Sequence, residues 1–144
     1  MKFRLLAVTV VVAGLASANA LAQANLGELL DMGAKKLSKE ELVTLLSGAN
    51  MSGETRDGAV YDVTYKPNGT YSGSFLSPQK RNGTQYGTWT VDDGGKVCID
   101  GSIRLYEVQP QKNCLFYFKN ADQYYISSAD SDRAAFVLKR TIKK

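Results

Sequence analysis

The stretch AVYDVTYKPNGTYSGSFL, residues 59–76, decides the fold class of this chain. In both AVYDVTY and TYSGSFL, apolar or aromatic residues alternate with polar or small ones. This period of two is typical of β-strands with one buried face. Pro67, Asn68 and Gly69 lie between the two runs, and Asn-Gly is a dipeptide that readily enters a hairpin turn. The stretch therefore predicts two antiparallel neighbouring strands.

The hexamer NGTYSG at 68–73 returns as NGTQYG at 82–87, and we interpret the repeat as repeated geometry. A type I′ turn needs positive φ at both central residues, which Asn-Gly adopts at low cost. Gly73 and Gly87 then allow a bend or the close approach of another backbone, and Gly87 is expected to make room for the indole of Trp89. The alternative is a pair of N-glycosylation acceptors, since both hexamers begin Asn-Gly-Thr.

Alternating segments continue to the C-terminus, as TQYGTWTVD, KVCID, SIRLYEV, NCLFYFK, QYYISS and RAAFVLKRT, separated by turn-rich pieces. Because no helix lies between them to carry a parallel crossover, the sheet is expected to be antiparallel. Six to eight such strands predict a mainly β fold, a small up-and-down meander or lipocalin-like barrel that closes to hide its edges.

One capping helix is predicted before the sheet, at about residues 38–47 in LSKEELVTLLSG. Ser38 and Glu41 have the spacing of a capping box, and Gly48 is the left-handed residue that ends the helix. The leucines of one face are expected to pack on the sheet. The earlier stretch NLGELLDMG predicts a further helix of only one or two turns, because its glycines weaken helical structure.

The N-terminus has the pattern of a secretory signal peptide: MKFR is basic, residues 5–16 are apolar, and Ala20 and Ala22 offer an A-x-A cleavage pattern. We predict cleavage after Ala22, with Ala20 as the alternative site, and a single domain at 23–144. An uncleaved membrane helix would need about 20 apolar residues. The sequence thus predicts a periplasmic or secreted protein of a Gram-negative bacterium, with no transmembrane segment after cleavage.

The net charge of +4 does not indicate a nucleic-acid-binding protein. Six basic residues lie at the two ends of the chain: Lys2, Arg4, Lys139, Arg140, Lys143 and Lys144. Of the 18 basic residues, 12 then remain against 14 acidic ones, whereas nucleic-acid binding favours a basic patch on a folded face. We interpret KRTIKK as a solvated end, with contact to an anionic membrane or nucleic acid as the alternative.

Cys98 and Cys114 are the only cysteines, and an exported chain favours a disulfide between them. A bridge needs Cα atoms within about 7 Å, whereas strands two apart in a flat sheet are separated by roughly 9 to 10 Å. We therefore predict that the two strands bearing the cysteines pair directly, and that residues 100–112 form a long hairpin arm. A redox-active pair is the alternative, although C-x-x-C spacing is missing.

Catalytic groups are scarce. The chain has no histidine, which removes the commonest general base and zinc ligand, and bonded cysteines leave no thiol nucleophile. Five aspartates lie in turn sequences, where backbone reasons favour them: Asp92, Asp93, Asp100, Asp130 and Asp132. We expect no enzyme, cofactor or metal, and a carboxylate-dependent hydrolase is an alternative.

Aromatic residues are the candidate binding groups. Consecutive aromatics in LFYFK and YYISS cannot all point into one core, so some are expected to line a ligand cavity or a partner surface. The candidates for ligand or partner binding are Tyr71, Trp89, Tyr106, Tyr117, Tyr124 and Tyr125. The alternative interpretation is that these side chains form the core and cross-strand pairs.

The order LSKEELVTLLSG, YKPNGTYSG, YGTWTVDDGGKVC and NCLFYF resembles the secreted proteobacterial proteins of domain of unknown function family 995. The resemblance covers nearly all of the mature chain, although Leu115 stands where a tryptophan is expected. It implies a periplasmic or secreted protein and supplies no activity.

The leading hypothesis is a non-catalytic binding or interaction module for a small apolar ligand or an envelope protein, with no nucleic acid partner. A second hypothesis is an inhibitor of an envelope-directed hydrolase such as lysozyme, because SGSF at 72–75 resembles the serine-glycine loop of such inhibitors. The oligomeric state is not predicted, since an open sheet edge and a closed barrel share one alternating pattern.

Overall fold

The structure, a computed structural model, describes residues 25–144. The predicted signal peptide and its cleavage site lie outside the described residues. The elements in chain order are α1 Leu26–Asp31, β1 Lys35–Lys36, α2 Lys39–Leu46, β2 Asn50–Glu54, β3 Val60–Tyr65, β4 Thr70–Leu76, β5 Asn82–Val91, β6 Lys96–Arg104, β7 Val108–Asn120, β8 Gln123–Ser127 and β9 Val137–Lys143. Neither helix of this part of the chain is long and apolar enough to cross a bilayer.

Strands β2 to β9 form one closed antiparallel barrel. Each strand pairs with the next along the chain, and β9 closes the circle by pairing with β2 through Met51 opposite Ile142. In the described part of the chain, the two-residue strand β1 lies outside this circle and pairs with β7. The prediction of a lipocalin-like up-and-down barrel is confirmed. The sequence pattern missed β2, and it assigned a separate strand to SIRLYEV, which instead forms the end of β6, the turn and the start of β7.

Inward-facing glycines let neighbouring strands approach one another closely in the wall. A Cβ atom at Gly87 would lie 2.6 Å from the Cα of Gly101, its partner on β6, and Gly73 faces the backbone of β3 in the same way. The close backbone approach predicted at both glycines is therefore confirmed. The expectation that Gly87 makes room for Trp89 is wrong, because the space is filled by the neighbouring strand.

The repeated hexamer occupies two different kinds of structure. In its first copy, Gly69 has φ of +82° and ends the turn between β3 and β4, but Asn68 does not have positive φ, so this is not a type I′ turn. In its second copy, Asn82 and Gly83 belong to β5, and the preceding turn uses Lys80 with φ of +62°. In the second copy the turn therefore lies before the Asn-Gly pair, whereas in the first copy it contains the pair. The prediction that the repeat marks a repeated turn geometry is wrong.

The disulfide lies on the outer face of the β6–β7 hairpin. Cys98 and Cys114 are bonded and stand opposite each other in the register, with Cα atoms 4.0 Å apart. Val97 and Ile99, the two neighbours of Cys98 in β6, line the barrel interior. Because side chains alternate along a strand, Cys98 points outward. Direct pairing of the two strands and the long hairpin arm, which runs to Arg104 opposite Val108, are confirmed.

Helix α2 covers one end of the barrel. Ser38 caps it and forms a reciprocal capping box with Glu41, and Gly48 follows its end with φ of +81°, as predicted. Leu42 and Leu46 are fully buried in the barrel core. At this end the chain also runs beside the strand ends, since Leu37 N–H donates to the carbonyl oxygen of Tyr117 at 2.9 Å. The opposite end carries the turns after β2, β4, β6 and β8.

Helix α1 packs on the outside of the wall. Its Leu26 and Leu29 are completely buried with Phe118 and Val137, in a second apolar cluster separate from the barrel interior. Asn25 caps this helix by accepting a hydrogen bond from Glu28 N–H at 2.9 Å. The weak helical segment predicted from NLGELLDMG is therefore present and anchors the N-terminal part of the described chain to β7 and β9.

Candidate functional site

A cavity of about 200 Å³ lies inside the barrel and is partly open to solvent. Its walls come from all eight barrel strands, because every second residue of each strand points inward. The lining residues are Met51, Thr55, Tyr61, Val63, Tyr65, Tyr71, Phe75, Gln85, Val97, Ile99, Gln111, Asn113, Leu115, Tyr117, Ile126, Leu138 and Arg140. Most of this surface is aliphatic or aromatic, and the amides of Gln85, Gln111 and Asn113 lie toward the end that α2 does not cover.

Among residues 25–144, Arg140 is the only charged residue that lines the cavity. It lies on β9 between the inward-facing Leu138 and Ile142, and only 3% of it is exposed. Its guanidinium stacks on the ring of Tyr61, with 5.0 Å between Cζ and the ring centroid. The interpretation of KRTIKK as a solvated end is therefore wrong at Arg140, because alternation along β9 turns this side chain into the barrel.

The hydrogen bonds of Arg140 use one side of its guanidinium. Nη1 donates to the carbonyl oxygens of Glu54 at 3.1 Å and Lys139 at 2.6 Å. Nε is buried and has no hydrogen-bond acceptor in the described part of the chain. No carboxylate of residues 25–144 forms an ion pair with it; the ion pairs there join Lys36 to Asp130, Lys39 to Asp93, Lys112 to Asp100 and Arg133 to Asp31.

Gly53 provides the space that Arg140 occupies. A Cβ atom at position 53 would lie 2.8 Å from both Cδ and Nη1 of the arginine. Gly53 stands opposite Tyr61 in the register of β2 and β3, so the guanidinium lies across the glycine and reaches the tyrosine ring. Because Gly53 has no side chain, the strand NMSGE leaves room for the guanidinium inside the barrel.

The cavity tyrosines stay protonated at neutral pH. Burial raises the pKa of Tyr65 and Tyr117 well above the ordinary value, and burial also raises that of Tyr71. Burial raises the pKa of Tyr61 too, although the positive charge of Arg140 opposes the increase. These hydroxyls are therefore neutral donors and do not supply a negative charge to balance Arg140.

Two of these hydroxyls have partners within the cavity wall. Tyr71 donates to Gln111 Oε1 at 3.2 Å, and Tyr117 is 3.4 Å from the sulfur of Met51. Tyr65 packs edge-on against Trp89, with ring centroids 5.6 Å apart. These contacts hold the rings in place, so the cavity has a defined aromatic wall.

The predicted binding residues separate into three groups. Tyr71 and Tyr117 line the cavity. Trp89 belongs to the core under α2, and its indole N–H donates to the carbonyl oxygen of Lys66 at 3.0 Å. Tyr124 and Tyr125 are half-buried on β8, and Tyr106 is 79% exposed at the tip of the β6–β7 hairpin, so the structure does not bring these three to the cavity.

The residues behind the two alternative hypotheses do not form a site in the described chain. Residues 72–75, the SGSF segment, lie inside β4 and are not a loop. Among residues 25–144 there is no group of three or more acidic, cysteine or histidine side chains that could hold a metal ion. Asp92 accepts a hydrogen bond from Lys96 N–H and Asp132 accepts one from Ala134 N–H, while Asp93, Asp100 and Asp130 form ion pairs with lysines. The prediction that Asp100 lies in a turn is wrong, because this residue is inside β6.

Sequence reasoning missed Arg140, Tyr61 and Gln111 as parts of one site. A signal for Arg140 was present, since Leu138, Arg140 and Ile142 have the same parity in an alternating run. No comparable signal exists for Gln111, because its neighbours on the same face of β7, Gln109 and Asn113, are also polar and do not indicate a buried face.

Comparison with known proteins identifies the family of this chain. No curated protein and no solved structure matched it. A family match spans residues 9–143, almost the whole sequence, and its description is "Protein of unknown function (DUF995)". The resemblance noted from the capped helix, the glycines and the cysteines is therefore confirmed: this protein belongs to the DUF995 family.

Proposed function

We propose that this protein is a non-catalytic binding module that holds a small, largely apolar ligand inside its barrel. The single observation that carries the proposal is the partly open cavity of about 200 Å³ among ordered aromatic and aliphatic walls. Barrels of eight strands are the size at which the interior either fills with side chains or holds one small ligand. Here the interior is not filled, although Trp89 and α2 close one end.

The size of the cavity limits the ligand. An engineered apolar cavity of about 150 Å³ binds benzene, whereas pockets for drug-sized ligands range from about 300 to 1,000 Å³. The cavity here, at about 200 Å³, therefore suits a ligand of roughly one aromatic ring with a short substituent. Long acyl chains and multi-ring compounds exceed it.

A location outside the cytoplasm is part of the proposal. It is supported by the signal-peptide pattern at residues 1–22 and by the disulfide, since such bonds persist in oxidising compartments. The absence of histidine from the sequence and the bonding of both cysteines support a non-catalytic role. The ligand, on this view, is met in the periplasm or in the medium.

Thermal unfolding in the presence of phenol, a neutral aromatic compound of suitable size, tests the proposal. A ligand that binds only the folded protein raises Tm in a concentration-dependent way. We expect phenol to raise the Tm of the wild-type protein. Val63→Phe, which places a ring into the cavity from a residue that is 2% exposed, should abolish this shift. Val60→Phe, on the outer face of the same strand, is the matched control and should retain it. A phenol shift that is unchanged in Val63→Phe would contradict the proposal. So would the failure of both phenol and its charged analogue benzoate to raise the Tm of the wild type.

A further inference from the structure

We propose that the ligand of the barrel cavity is a small carboxylate whose charge is neutralised by Arg140; this inference rests on the proposed binding function. A guanidinium keeps its positive charge in proteins. Burying a charge without an opposite one is costly, and an arginine is almost never fully buried unless it is paired. Arg140 is 97% buried, yet no carboxylate of the described residues pairs with it.

The buried Nε–H of Arg140, which lacks an acceptor among residues 25–144, indicates the kind of anion. Nη1 is already engaged by two backbone carbonyl oxygens, whereas the buried Nε–H has no acceptor in residues 25–144. Nε–H and the adjacent Nη2–H form one of the edges through which arginine makes two parallel hydrogen bonds to a carboxylate. Two oxygens on one planar group match this edge.

The rest of the cavity favours a carboxylate over a phosphate or sulfate. Arg140 supplies one positive charge, and among residues 25–144 no lysine or second arginine lines the cavity. The neutral tyrosine hydroxyls and three amides add hydrogen-bond donors but no charge. One positive charge balances a monoanion, whereas a dianion would remain half uncompensated in an apolar enclosure.

The cavity walls around Arg140 limit the size and polarity of the group that is attached to the carboxylate. Tyr61 already stacks on the guanidinium, and Val63, Ile99 and Leu115 form apolar surface in the same cavity. With a volume of about 200 Å³, the space accommodates one ring or a short chain attached to the carboxylate. The ligand class is therefore an aromatic or short-chain monocarboxylate.

Calorimetric titration with benzoate and with benzamide tests this inference on the full-length folded protein. The two probes have the same shape and differ in charge, so their ratio of affinities measures recognition of the carboxylate. We expect benzoate to bind at least tenfold more tightly than benzamide to the wild type. Because this comparison needs no variant, it stands even where a substitution impairs folding.

Variants at position 140 test whether the arginine causes the preference for benzoate over benzamide. Arg140→Met should remove the tenfold preference while benzamide still binds, and Arg140→Lys should restore part of it. Lys139→Met is the matched control, because Lys139 is exposed on the same strand and its loss changes the net charge equally. The control should keep the full preference.

The outcomes separate this inference from the proposed function. Equal binding of benzoate and benzamide, or a preference that persists in Arg140→Met, would overturn the role of Arg140 and leave the cavity as a site for neutral ligands. Phenol binding without benzoate binding would overturn the carboxylate inference alone. If none of the three probes binds at millimolar concentration, both proposals fail together.

Discussion

Removal of the disulfide is expected to lower stability without changing the cavity. The bridge joins Cys98 to Cys114 across a sequence separation of 16 residues. In the chain-entropy model a loop of this size restrains the unfolded chain by about 3 kcal/mol at 25 °C, of which the logarithm of the loop length supplies about 2.5 kcal/mol. The native state gains no large compensating relaxation, because the two strands are held by ladder pairs on both sides of the bridge, from Lys96 opposite Phe116 to Arg104 opposite Val108.

The assay is equilibrium unfolding in urea of the oxidised protein and of the double variant Cys98→Ala, Cys114→Ala. With a slope of about 2 kcal/mol per molar urea, a loss of about 3 kcal/mol lowers the midpoint by about 1.5 M. Single domains are stable by about 5–15 kcal/mol, so the variant should remain folded at 25 °C. Binding of phenol should be unchanged, because both cysteines point away from the cavity between inward-facing neighbours.

Two results would refute this reasoning. A loss below about 1 kcal/mol would mean that the unfolded chain is already restrained in this region without the bridge. Altered phenol binding in a folded double variant would mean that the outer face of the hairpin controls the interior, contrary to the alternation along β6 and β7.

Three further predictions concern the wall, the helix and the buried tyrosines. Gly87→Ala should cost about 1–3 kcal/mol in urea unfolding, since its Cβ would overlap the backbone of β6. In the same assay Gly94→Ala should stay within about 0.5 kcal/mol of the wild type, because the nearest atom to its Cβ would be a side-chain oxygen of Asp92 at 3.3 Å and no backbone would be overlapped. Ser38→Ala should cost about 1 kcal/mol in the same assay, because it removes the acceptor for the first turn of α2, and no measurable loss would contradict the role of the cap. Stability should fall as pH rises above about 10, because tyrosines then lose their protons in the unfolded chain while the raised pKa of Tyr117 keeps its proton in the folded one. Each such tyrosine contributes a slope of about 1.4 kcal/mol per pH unit, so Tyr117→Phe should make the decline shallower, whereas Tyr106→Phe, at the exposed hairpin tip, should not.

The sequence predicted the features that depend on local pattern. Alternation identified most of the barrel strands, Ser38 and Glu41 identified the start of α2, and the reach of a disulfide identified the β6–β7 pairing. Each of these inferences needs only residues that are close in sequence or a single covalent constraint. Closure of the barrel followed because a sheet of this kind hides its edges.

The features that the sequence did not predict depend on contacts between distant segments. The sequence of β2 does not resemble a strand, because it contains a glycine. Gly53 leaves space for the side chain of Arg140, which lies 87 positions later in the sequence. Arg140 was assigned to a solvated basic end, because it lies among several lysines near the C-terminus. Its inward-facing position on β9 was therefore not recognised. The predicted binding residues Tyr106, Tyr124 and Tyr125 do not line the cavity. Tyr106 is exposed at the hairpin tip, Tyr125 packs in the outer cluster, and Tyr124 packs against the barrel core, and aromatic composition alone does not distinguish these positions.

The central claim is that the barrel interior binds a small ligand in the organism that makes this protein. Native mass spectrometry of the protein, isolated gently from the organism that makes it, tests this claim most directly. We predict a reproducible added mass of about one small molecule on the wild-type protein, lost on denaturation and absent from Val63→Phe prepared in the same way. A bare mass for the wild type, two hydrogens below the reduced chain for the disulfide, or an added mass that persists in Val63→Phe, would contradict a ligand held in the cavity.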